Sequence, residues 1–240
     1  NFLSEKFIAK NAKLNSTLFQ NEGNLGYSVN TNQIKQEQDS QYHNHTITLS
    51  GQLVRNNHNV LLAGQNSEAN LNGLFYSKEN QIIDNHTLMD HQAPHCESNE
   101  LYKGIIKDKS TGVFNGKIFV RKDAQKTNAY QSNKNILLSD EATINTKPQL
   151  EIYADDVKCS HGSTTGQLDE DAVYYLRARG ISERSARQLM ISAFIGDVLE
   201  KIENEAAEKI RRRRKGISKK KDHVSMLIIP TGCGKTYLSR

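Results

Sequence analysis

The sequence predicts a mainly β body followed by a small α-helical hairpin, and three observations carry that expectation. Short apolar alternations recur through residues 1–167, as in HTITLSG, NVLLAGQNS, NGLFYSKEN, GVFNGKIFVR, NILLSDEATIN and PQLEIYAD, each bounded by Asn, Gly, Ser or Asp. Asparagine is partitioned: twenty-two lie in residues 1–150, and Asn204 is the only one after them. Beyond residue 167 the apolar spacing changes from two residues to three and four.

The elements follow in order. In GVFNGKIFVR, Phe114, Ile118 and Val120 share a face with Gly116, while Asn115, Lys117 and Arg121 take the other, which describes a half-buried strand. A sandwich, a barrel and a β-helix all satisfy this alternation. The asparagines favour a β-helix, whose stacked turns need αL geometry and accept hydrogen-bonded Asn ladders. In LDEDAVYYLRARG, acids fill the first turn, Arg177 and Arg179 the last, and Gly180 follows, so a short helix starts and stops there. Ser182 caps a second helix, in which Ala186, Leu189, Met190, Ala193, Phe194 and Val198 repeat at helical spacing. The two make a hairpin whose apolar stripe is expected to dock on the body or on another protein.

Composition narrows the function. Of the formal net charge of +5, residues 211–240 contribute +9, which leaves residues 1–210 at −4. The body therefore has no electrostatic case for specific nucleic-acid binding. Three scattered cysteines, Cys96, Cys159 and Cys233, do not make a disulfide framework. No stretch reaches the roughly 20 apolar residues of a membrane helix, and NFLSEKF lacks a signal pattern, so a cytoplasmic location is expected. The chain does not start with methionine, and we expect a fragment of a longer protein.

The segment EIYADDVKCSHGSTTGQ sets Cys159 and His161 two residues apart on one strand face, where a thiolate and an imidazole can meet one ligand. A buried cysteine and a satisfied histidine closing a strand would look the same. In DHQAPHCES, Asp90, His91, His95 and Cys96 crowd a loop and suggest metal, but without paired CxxC spacing. His43 and His45 alternate on what reads as a solvated face. Ser160 beside His161 has no glycine-flanked elbow and makes no nucleophile–base pair.

The stretch PQLEIYADDVKCSHGSTTGQLDEDAVYYLRARGISERSARQLMISAFIGDVLEKI resembles the C-terminal core of the SufB/SufD family of iron–sulfur cluster assembly scaffolds, on its SufD side. DHQAPHCESNELYKGIIKDKSTGVFNGKIFV and NAYQSNKNILLSDEATINTKPQLEIYADD resemble it too, so that the likeness covers about residues 1–208. In SufB the corresponding cysteine precedes a more acidic stretch with a glutamate beside its histidine. Here Gly162 follows His161. The resemblance implies a right-handed parallel β-helix over 1–167, with an N-terminal family region missing, and a helical domain over 168–208. It implies a β-helix heterodimer with SufB, binding of the ATPase SufC through the C-terminal helices, and no catalysis by this chain. It also implies a transient iron–sulfur cluster shared with SufB, to which His161 contributes a ligand, with Cys159 as its neighbour. A complex of one SufB, one SufD and two SufC would follow. The competing expectation is a free-standing β-solenoid interaction module without metal chemistry.

Residues 209–240 stand apart. After RRRRKGISKKKDH, the run SMLIIPTGCGKT resembles a helicase-type phosphate-binding loop, in which Lys235 would reach phosphates and Thr236 would hold Mg²⁺. Ile229 replaces the first glycine, and only four residues follow Thr236, too few for the helix and acidic motif that such a loop needs. A basic tail of foreign origin is expected, and an ATP-dependent enzyme would require nucleotide binding that depends on Lys235.

Overall fold

The computed structural model describes residues 2–201 and the backbone of residues 236–239. One sheet contains, in order, β1 (Phe2–Ile8), β3 (Tyr27–Gln36), β5 (Leu53–Leu62), β7 (Ile82–His91), β9 (Thr111–Val120) and β11 (Thr143–Ile152). The other contains β2 (Lys13–Asn21), β4 (Gln41–Ser50), β6 (Glu68–Ser77), β8 (Glu97–Ile106), β10 (Asn128–Leu137) and β12 (Lys158–Gln167). Neighbours from β1 to β11 and from β2 to β10 pair in parallel. The chain thus alternates between two sheets, one strand to each, and rises by a rung every two strands. This is a β-solenoid, so the fold expected from the resemblance is observed, and the sandwich and the barrel are not. A short β13 (Thr236–Ser239) lies antiparallel to β2.

Alternation sets what lies inside. Along β9, Gly112, Phe114, Gly116, Ile118 and Val120 are buried and the intervening residues are partly exposed, as the sequence pattern requires. Ile34, Val60, Leu62, Leu71, Met89 and Ile118 fill the interior, with Tyr102 tilted on Phe114 at 5.0 Å between ring centroids. Close packing of this kind uses glycine: a Cβ at Gly73 would stand 2.1 Å from the Tyr102 ring.

Asparagine acts differently from the expectation. Asn11, Asp39, Asn66, His95 and Lys126 have positive φ, one at each turn of a stacked column. Their N–H groups donate to the carbonyls of Gln38, Gln65, Pro94, Gln125 and Asp156 on the following rungs. That inter-rung bond offsets the αL cost of about 1 kcal/mol for several residue types, so Asn holds only two of the five places. Much of the asparagine faces inward instead. Asn30 Nδ2 donates to Asn56 Oδ1 at 3.3 Å, and Asn56 Nδ2 donates to Asn85 Oδ1 at 3.1 Å, a buried ladder on three registered strands.

The last strands, β11 and β12, are the outer edges of their sheets. In β11, Thr143 N–H and Tyr153 N–H bond back to Ser110 and Val120, so odd-numbered amides face β9 and even-numbered positions face the open edge. Pro148 takes one of those outward positions, where its missing N–H costs no ladder bond.

α1 (Glu170–Arg177) is capped by Asp169, whose carboxylate accepts from the Asp171 and Ala172 amides. Gly180, with φ of +81°, ends the turn after it. Ser182 Oγ accepts from Ser185 N–H to cap α2 (Glu183–Glu200). The caps fall where the sequence placed them. The expected stripe is followed only in part, since Ala186 and Val198 are buried but Leu189 is 53% exposed. No helix among the described residues is long and apolar enough to cross a membrane.

Candidate metal centre

Cys159 and His161 stand on β12, at the end of the stack. Lys158 N–H donates to Thr127 O, just as Asn128 N–H donates to Cys96 O where Asn128 lies opposite Glu97. By the same pattern Cys159 lies opposite Ala129 and His161 opposite Gln131. Both therefore continue the inward-facing rows of the solenoid, and among the described residues no strand lies beyond them. Cys159 is half-buried against the core, and His161 is exposed. Burial pushes the Cys159 thiol up from its ordinary value, and a backbone hydrogen bond at Ala129 opposes the rise. The thiol is accordingly protonated at neutral pH and must lose that proton to bind a metal.

Two donors make an incomplete site. Among the described residues no group of three or more His, Cys, Asp or Glu is placed to hold a metal ion. A thiolate and an imidazole are both competent toward iron, but a cluster usually takes four ligands, so the remainder must come from outside this chain.

The other expected positions disperse. Cys96 points inward, with Sγ 3.3 Å from Ser67 Oγ and from the Gly64 carbonyl. His91 is buried and shares a 2.9 Å hydrogen bond between Nε2 and Ser98 Oγ. Asp90 faces the other way and accepts two bonds from Arg121 at 2.9 Å. His95 occupies an αL turn. Asp90 and His91 belong to β7 rather than to the expected loop, and the four residues serve the core, an ion pair and the backbone. His45, expected on a solvated face, is buried, because Thr17 and Asn72, in register on either side, are buried with it. Ser160 and His161 take opposite faces of β12, which rules out a direct pair. Lys235 lies outside the described residues and Thr236 falls in β13, so the phosphate-loop reading of that segment remains a sequence expectation.

Sequence reasoning missed the residues beneath His161. The row that ends on it runs through Leu71, Glu100 and Gln131. Gln131 Nε2 donates to Glu100 Oε2 at 2.5 Å, and both side chains are 3% exposed. Burial pushes the Glu100 carboxyl up to about 7, opposed by Gln131 and the nearby Thr87 hydroxyl. A signal was present: alternation with Tyr102 and Ile106 puts Glu100 on the apolar face of its strand.

Comparison with known proteins follows the same direction. The family described as "SUF system FeS cluster assembly, SufBD core domain" matches residues 1–194. The iron–sulfur cluster assembly protein SufD of Escherichia coli is 38% identical over 198 residues, 82% of this chain and 47% of that protein. An iron–sulfur cluster assembly SufBD family protein of Synechocystis is 37% identical over 84% of this chain and 45% of its own length. The chloroplastic protein ABCI7 of Arabidopsis thaliana is 36% identical over 89% of this chain and 45% of its own. The chain thus spans a little under half the length of these relatives.

Proposed function

The chain belongs to the SufBD core family of iron–sulfur cluster assembly proteins, and from that premise we propose that it is a SufD-type scaffold subunit. In this reading it pairs with SufB through the solenoid, and the segment 168–208 engages the ATPase SufC. The chain itself is not an enzyme. The iron–sulfur cluster is cargo, held for a time between this chain and SufB, and released intact.

The observation that carries the proposal is the incomplete ligand pair on a terminal strand. His161 is exposed and Cys159 half-buried on the inward row of β12, which has no further strand on its outer side among the described residues. A second chain bringing thiolate or carboxylate donors to this end would complete four-fold ligation and cover the open rung together. Cys159 must lose its proton before it can bind metal.

The test is reconstitution with SufB and SufC, comparing wild type with His161→Ala. Loss of cluster absorbance with the complex still formed and the melting temperature unchanged is the expected result. Undiminished cluster formation by the variant would instead favour a solenoid interaction module without metal chemistry.

A further inference from the structure

Gln131, which the strand pattern sets opposite His161, carries an unmet hydrogen-bond acceptor. Its Nε2 is committed to Glu100 Oε2 at 2.5 Å, while its Oε1 is buried and has no partner in the protein. A buried carbonyl left unpaired loses its hydration with nothing in return, so a donor is called for. Glu100 occupies the preceding strand, and the following strand, about 4.8 Å on, presents His161 in register on the same face. The amide packs closely on Gly116, where a Cβ would stand 2.4 Å from Gln131 Nε2.

We propose that Gln131 is the positioning residue for His161: its carbonyl accepts the N–H of one ring nitrogen and turns the other nitrogen outward as a ligand. A metal-binding imidazole commonly donates its second N–H to a carbonyl or carboxylate, which fixes tautomer and ring plane and raises the basicity of the ligating nitrogen. Glu100 acts one step further back. By holding the amide N–H, it prevents Gln131 from flipping and offering a donor, which would favour the wrong tautomer. This inference rests on the reading of His161 as a ligand but is tested without any cluster.

The experiment is NMR of the intact chain with ¹⁵N-labelled histidine at about pH 8. The His161 signals are assigned by their loss in His161→Asn. A ring N–H of His161 protected from solvent exchange is expected in the wild type and in Glu100→Gln, which keeps an acceptor for the Gln131 amide. It should vanish in Gln131→Met, which keeps the length and removes the carbonyl. An unprotected ring in the wild-type chain overturns the proposal even if no variant folds, and so does a signal unmoved by Gln131→Met. Cluster loss in His161→Ala alongside an unprotected ring would sink this inference and leave the scaffold reading standing.

Discussion

Glu100 gives one side chain control over how stability responds to pH. Its carboxyl is held at about 7 in the folded chain against an ordinary 4.5. Between those values the unfolded chain has lost the proton that the folded chain keeps, so stability falls as pH rises through this window, by about 3 kcal/mol in all. Glu100→Gln should abolish that fall, leaving the variant more stable than wild type at pH 8 and little changed at pH 4. Urea midpoints at the two pH values check it, and parallel curves for the two proteins would show that burial does not set this carboxyl. At this scale Cys159 and His161 were legible, because spacing of two on a strand is local. Gln131 was not, since QSNKN reads as a polar surface until a strand some thirty residues upstream supplies Glu100 as its neighbour.

At the scale of elements, the β3–β5–β7 ladder makes a different prediction. Asn56 sits in its middle, bonded to Asn30 and Asn85 on adjacent rungs and to Gln20 Oε1 at 2.9 Å from the facing sheet. Asn56→Ala removes bonds to four buried side chains, Thr48 Oγ1 at 3.4 Å being the fourth, and should cost about 3 kcal/mol, well beyond the effect of replacing an exposed asparagine. Chemical denaturation measures it, and a loss under 1 kcal/mol would mean that water takes over the vacated bonds. Much of the helical hairpin was legible, because caps and charges near helix ends are written within a few positions, as at Gly180 and Ser182, although Asp169 caps α1 rather than filling its first turn and Arg179 falls beyond it. The role of asparagine was not. Its abundance pointed correctly to stacked rungs, but the same chemistry serves turns and interiors, and only register separates them.

For the whole molecule, the solenoid hides two histidines in their neutral form. Burial lowers His58 to about 3 and His91 to about 4, with His58 Nε2 sharing a 2.9 Å hydrogen bond with Tyr42 Oη. Both are neutral in the unfolded chain only above 6.5, so stability is lost as pH falls from there, by about 3 kcal/mol for each by pH 4. Glu100 gains over part of the same range and offsets some of that loss. Melting temperature should therefore drop between pH 6 and pH 4, more steeply in Glu100→Gln, and a flat profile in the variant would contradict this account. Rung repetition was illegible because registered residues on β3, β5, β7, β9 and β11 lie 26, 29, 29 and 32 positions apart, with no common motif. Alternation alone left sandwich, barrel and solenoid equal, and family likeness separated them. Pro148 extends the description to association at the open edge. A strand sliding along the β11 edge meets outward amides at residues 144, 146, 150 and 152 but a blank at 148. In every register a pairing strand would therefore leave one carbonyl unbonded opposite Pro148, which weakens association along this edge.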